Sequence, residues 1–188
     1  MKNVMLLSIF ILFLSQTANA QHRRAPKKYV DINAAIGLLP TFIKDAGKVK
    51  APPLSLSADF KLAKNFSLGA FAGFSVTETD LRRMIDGGTA KWRNRFSLFG
   101  LRLAAQSSLQ GPWNIYGGMS IAYTHSNIDM MEGQFEKVKE EKGIKENSGK
   151  MVFAGFIGGR HSFTPRLGMF GELGFGISLV TVGLSVRI

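Results

Sequence analysis

Along most of the chain, apolar and polar or small side chains alternate with a period of two rather than 3.6, the pattern of strands with one apolar face. Over residues 29–39, Val30, Ile32, Ala34, Ile36 and Leu38 oppose Asp31, Asn33, Ala35 and Gly37. Over 54–62, Leu54, Leu56, Ala58, Phe60 and Leu62 oppose Ser55, Ser57, Asp59 and Lys61, and a turn at 63–65 leads into Phe66, Leu68, Ala70, Ala72, Phe74 and Val76. The same alternation recurs over 99–106, 113–124, 153–163, 167–175 and 180–188. The pattern predicts an all-β chain of eight antiparallel strands joined in sequence, an up-and-down barrel.

The non-apolar face chooses between a soluble and a membrane barrel. A strand face turned to solvent carries many Lys, Glu and Thr. Here it is mostly Gly, Ser and Ala, with single charges at Asp31, Asp59, Lys61, Arg102, Arg160, Glu172 and Arg187. Such a face suits a narrow interior in which the few long side chains form a structural polar network, which leaves the apolar face to lipid. Aromatic residues near the strand ends fit the two interfacial girdles: Tyr29, Phe60, Phe66, Trp113 and Phe163 at one end, Phe74, Trp92, Tyr123 and Phe175 at the other. The alternative with the faces exchanged is a secreted lipocalin-like carrier.

The N-terminus sets the compartment. Lys2, the apolar run 4–14 and Ala18-Asn19-Ala20 are the three parts of a secretory signal in order. The expected organisation is a signal peptide over 1–20, a short basic periplasmic segment over 21–28 and the barrel over 29–188. Removing Lys2 leaves 23 basic and 13 acidic side chains, a formal charge of +10 that suits anionic lipid phosphates; a secreted chain has no nucleic acid to meet. There is no cysteine, so neither disulfides nor lipid attachment at a cysteine enter the picture.

Connection lengths alternate. Those near 63–65, 107–112 and 164–166 are short; those over 40–51, 77–91 and 127–150 are long, and a tight turn is expected at 176–179. Outer-membrane barrels keep short turns in the periplasm and long loops outside, which places both termini in the periplasm.

Over its whole mature length the chain resembles the small eight-stranded outer-membrane barrels of the OmpA/OmpX-like class. The carrying features are the eight alternating strands, the short-long alternation of connections and the ending Gly183-Leu184-Ser185-Val186-Arg187-Ile188, with Ile188 where that class usually has an aromatic residue. The resemblance implies a transmembrane β-barrel delivered to the cell outer membrane of a Gram-negative bacterium by the outer-membrane assembly machinery. Its partners would be outer-membrane lipid and lipopolysaccharide. The fold itself hosts many activities.

The expected role is non-enzymatic, contributing to outer-membrane integrity or to surface interactions through the loops, without a cofactor or metal. Lys44, Lys48, Lys50, Arg82, Arg83, Lys91, Arg93 and Arg95 are candidates for contacts to lipopolysaccharide phosphates. A narrow pore is one alternative, opposed by the tendency of eight-stranded barrels to fill their lumen. A lipid-modifying enzyme is another. Residues 123–127 faintly resemble the His-x-Ser-Asn segment of PagL-like deacylases, but His125 and Ser126 are adjacent, so a regular strand points them to opposite faces.

Overall fold

The computed structural model of the chain describes residues 29–41, 48–84, 88–107, 111–133 and 146–188. The expected signal peptide (1–20), the basic segment (21–28) and Lys44 lie outside the described residues.

The strands are β1 (Val30–Gly37), β2 (Lys48–Ala63), β3 (Phe66–Glu78), the two-residue β4 (Arg82–Arg83), β5 (Thr89–Gln106), β6 (Trp113–Glu132), β7 (Asn147–Ser162), β8 (Leu167–Gly174) and β9 (Val180–Arg187). All except β4 join a ring of eight, each antiparallel to its neighbours, and the β3–β5 and β1–β9 pairings close it. Closure leaves no free edge along the apolar band, which a lipid-facing sheet requires because hydrocarbon cannot hydrogen-bond an open edge. β4 pairs with the start of β5, Arg82 opposite Ala90.

The period-two pattern sorts the side chains as the sequence indicates. Met119, Phe153 and Phe99 are 71%, 78% and 60% exposed, whereas Asp59, Lys61 and Arg160 on the opposite face are 7–8% exposed. Hydrophobic burial therefore contributes only small clusters inside this barrel, and most of its large apolar side chains point outward around the ring. A lipocalin-like carrier needs the reverse, an apolar calyx, so this alternative is set aside.

Five strands run beyond the alternating segments. β2 starts at Lys48, β3 ends at Glu78, β5 starts at Thr89, β6 ends at Glu132 and β7 starts at Asn147, so the long connections are shorter than the sequence pattern implies. These extensions carry polar residues on both faces, as at Arg93, Asn94 and Arg95 opposite Asn127, Ile128 and Asp129. Alternation marks only where one face is apolar; the backbone ladder continues past that point. Pro52 and Pro53 sit at a register shift in β2, between Ala51 and Leu54, where the missing N–H groups cost no regular ladder bond.

Phe60, Phe66, Trp113 and Phe163 are exposed near the short-turn end, and Phe74, Tyr123 and Phe175 near the other. Two residues expected in these girdles turn elsewhere. Tyr29 lies under the Arg187 guanidinium, 3.9 Å from ring centre to Cζ. Trp92, 2% exposed, packs with Met84 and Ala90 on the inner face of the β5–β6 extension. Its parity explains this, because Trp92 shares a face with the buried Phe96 and Leu98.

Candidate functional site

Two ionic layers cross the lumen. In the first, Arg102 on β5 reaches Asp59 on β2, with Nε to Oδ1 at 2.9 Å, and Glu172 on β8, with Nη1 to Oε2 at 3.2 Å. The hydroxyl of Tyr116 donates to the same Glu172 oxygen at 3.2 Å, and Phe156 lies under the guanidinium. Gly69 makes room for this layer, since a Cβ there would collide with the Asp59 carboxylate. In the second, Asp31 on β1 receives Arg160 Nη1 from β7 at 2.6 Å and Arg187 Nε and Nη2 from β9 at 2.9 and 3.1 Å. Asn33 connects the strands further by donating to Asp59 Oδ2 at 2.8 Å. Of the seven charged residues read on the inner face, six are thus joined by ion pairs; Lys61 lies 5.7 Å from the ring centre of Tyr29.

The long-connection mouth is closed by an apolar tip. Between β8 and β9 the chain turns inward, and Ile177 packs on Phe96, Leu98, Ala122 and Phe71. The turn is held by the Leu179 N–H donating to the Leu39 carbonyl (2.7 Å), the Thr41 N–H donating to the Ile177 carbonyl (3.2 Å) and the Leu39 N–H donating to Ser178 Oγ (3.0 Å). Gly73 provides the space: a Cβ there would approach Ile177 Cδ1 to 2.8 Å. Among the described residues, the larger cavities of the lumen are two of about 50 Å³ each, both lined in part by Arg102.

Basic residues gather beyond the apolar band. Glu78 at the end of β3, 3% exposed, receives Arg93 Nε and Nη2 at 2.9 and 2.7 Å and lies 3.6 and 3.8 Å from Lys50 and Lys91. The hydrogen bonds from Arg93 hold its carboxyl below the usual glutamate range, helped by Lys50 and Lys91 and opposed by burial. Arg95 pairs with Asp129 at 3.1 Å where both are well exposed, a geometry that contributes little. Lys48 and the β4 pair Arg82 and Arg83 are exposed nearby.

No protein-family model matches the chain, and no curated protein sequence does. Solved structures do. Neisserial surface protein A aligns with a TM-score of 0.51 at 13% identity, over 88% of this chain and 99% of the other. A major outer membrane protein from Thermus thermophilus aligns with a TM-score of 0.51 at 14% identity, over 86% and 99%. The chain has the fold of the small outer-membrane β-barrels.

For a barrel of this kind, the missed contributors to the lumen are instructive. Asn33 and Tyr116 stand on the polar face by parity, but neutral side chains carry no signal that they join an ionic layer. Glu78 and Asp129 lie beyond the alternating segments and could be matched to their basic partners only once β3, β5 and β6 were seen to extend. Ser126 donates to Asn94 Oδ1 at 2.7 Å, so its hydroxyl is engaged across the β5–β6 ladder instead of meeting His125.

Proposed function

We propose that this is a non-enzymatic integral protein of the Gram-negative outer membrane that binds anionic lipopolysaccharide headgroups at its long-connection end and so contributes to the cohesion of the outer leaflet. The observation that carries the reading is the inverted burial, with apolar side chains outward around the closed ring and charged ones inside. Water does not tolerate so continuous an apolar belt, whereas a bilayer requires one.

In this reading residues 1–20 are removed on export and 21–28 precede the barrel in the periplasm. The short turns and both termini face the periplasm, and the extended β2, β3, β5, β6 and β7 project outside. Around Glu78 three cations share one carboxylate, so positive charge is left over for phosphate; Lys48, Arg82 and Arg83 belong to the same basic end, and the sequence between β1 and β2 adds Lys44. A pore is disfavoured because the two ionic layers and the Ile177 tip obstruct the lumen.

The test is fractionation of the producing cell, followed by gel mobility of boiled and unboiled samples and by titration of the purified barrel with lipopolysaccharide. The expected result is a heat-modifiable outer-membrane band whose melting midpoint rises with lipopolysaccharide, the rise being lost in Lys48→Gln/Lys50→Gln/Arg82→Gln/Arg83→Gln. A band that extracts without detergent refutes the membrane assignment, and a quadruple variant with an unchanged titration refutes the headgroup contact.

A further inference from the structure

Among the described residues, the three arginines of the lumen are met by Asp31, Asp59 and Glu172, which leaves Lys61 as the inward charge without a counter-ion. Lys61 stands near the end of β2, opposite Ser67 on β3, and its backbone N–H donates to the Tyr29 carbonyl at 3.0 Å. The residue is 8% exposed, its ammonium lies 5.7 Å from the centre of the Tyr29 ring, and among the described residues it has no ion pair or side-chain hydrogen bond. Arg187 stacks on the same ring and adds positive potential there, while Asp31 is already taken by Arg187 and Arg160. A largely buried ammonium in this state is costly unless an anion reaches it. One route to it is visible. Lys61 and Tyr29 line a groove of about 390 Å³ at the short-turn rim, whose other walls are Val30, Phe60, Leu62 and Ile188.

We propose that this groove holds one anionic glycerophospholipid of the periplasmic leaflet, its phosphate on Lys61 and the start of an acyl chain on Phe60, Leu62 and Ile188; the site rests on the membrane-spanning reading with the short turns in the periplasm. The groove joins two kinds of surface. Phe60, Leu62 and Ile188 are 56%, 58% and 74% exposed on the outward face, whereas Lys61 comes from the inward one. An ammonium is a donor with no acceptor, so its partner must accept hydrogen bonds. A long lysine stem lets the charged head reach the rim from an inward position. Free phosphate would use the cation alone and leave the apolar wall to water; an apolar peptide would cover the wall and leave the cation unmet. An anionic lipid uses both, and cations at a membrane interface draw anionic headgroups. The Ile188 main-chain oxygen that borders the groove accepts the Val30 N–H at 2.9 Å. Lys64, exposed in the turn after β2, adds positive charge at the same rim. A lipid held here would bridge the first and second strands at the point where the ring of β9, β1 and β2 ends.

The experiment uses the full chain, delipidated in an uncharged detergent. Phosphatidylglycerol is expected to raise the melting midpoint saturably, at least about tenfold more tightly than phosphatidylcholine with the same chains, while inorganic phosphate leaves the midpoint unchanged. Lys61→Gln is expected to lose the preference for the anionic lipid and Lys61→Arg to keep it. Equal affinity for the two lipids overturns the proposal, since the contact would then be that of any lipid around the barrel. A preference that survives in Lys61→Gln overturns it too, as does a midpoint that rises as much with inorganic phosphate. Leu62→Trp, which leaves Lys61 in place, decides the location even where Lys61→Gln does not assemble: chain-brominated phosphatidylglycerol should quench the added fluorescence at lower concentration than brominated phosphatidylcholine, and equal quenching refutes the site. A heat-modifiable barrel that needs detergent but shows no lipid preference refutes this site alone, whereas a chain that extracts without detergent refutes the membrane reading beneath it.

Discussion

Replacing Glu172 by leucine tests whether the lumen is held together by its charges. The substitution removes the carboxylate that Arg102 meets at 3.2 Å and the acceptor of the Tyr116 hydroxyl. Breaking a buried ion pair from one side costs about 3–5 kcal/mol, but Arg102 keeps Asp59 at 2.9 Å, so a smaller loss, about 2–3 kcal/mol, applies. The Tyr116 hydroxyl, left without its acceptor, adds about 1 kcal/mol. The total of about 3–4 kcal/mol corresponds to a fall in melting midpoint on the order of 10 °C for a chain of this size. Glu172→Gln keeps an acceptor for both partners and should lose about half as much. Arg102→Met/Glu172→Leu should be less destabilised than the sum of the two single variants by at least about 1 kcal/mol, because the double variant strands one carboxylate where Arg102→Met strands two. Gel mobility after graded heating, with the folded band as the readout, measures all four proteins. An unchanged midpoint in Glu172→Leu refutes the reasoning, since the cross-lumen layer would then contribute nothing.

Three further outcomes follow from the same geometry. The Glu78 carboxyl is held below its usual range by Arg93, so its contribution is complete above the unfolded value of about 4.3 and is lost as the pH falls through the lower folded value; the protection of amides at the start of β5, taken relative to the intrinsic exchange rate at each pH, should fall below about pH 4 in the wild type but show no such step in Glu78→Gln. Met119→Arg places a charge on the outward face at a 71% exposed position and should cost about 2–4 kcal/mol in a bilayer; urea unfolding in vesicles that shows no loss contradicts a lipid-facing β6. Gly69→Val drives a side chain into the Asp59 carboxylate and should abolish the heat-modifiable band on refolding, while Gly176→Ala, at a position with open space around it, should leave it intact.

How much of this was legible in the sequence depends on the physics behind each element. The outward faces of β1, β8 and β9 were readable because lipid demands an apolar residue at every second position. The inward charges were readable by the same parity. The extensions of β5 and β6 were not, because water on both sides imposes no alternation and the ladder of backbone hydrogen bonds leaves no trace in residue type. Trp92 shows the danger of reading composition without parity: as an aromatic near a strand end it fits a girdle, yet its even position on β5 puts it with Leu98 and Phe96 inside. Ile177 lay in what reads as a turn, and only the small residue at Gly73, far away in sequence, creates the place it fills.

The eight-residue strands β8, β9 and β1 are close to the length of about 9–11 residues that a tilted strand needs to cross hydrocarbon. The twenty residues of β6 and eighteen of β5 are nearly twice that. At roughly 3.3 Å per residue, about 30 Å of ribbon therefore stands beyond the band on one side of the barrel only. The low side needs a cover, and the inward turn at Ile177 supplies it with backbone bonds to Leu39 and Thr41. The tall side keeps its two-faced polar surface, on which Glu78 binds Arg93 most tightly and leaves Lys50 and Lys91 at longer range. Lipid constrains the outer face and the ionic layers constrain the inner one. The ribbon beyond the band answers to neither, so side chains there are free to be selected for contact with something outside the membrane.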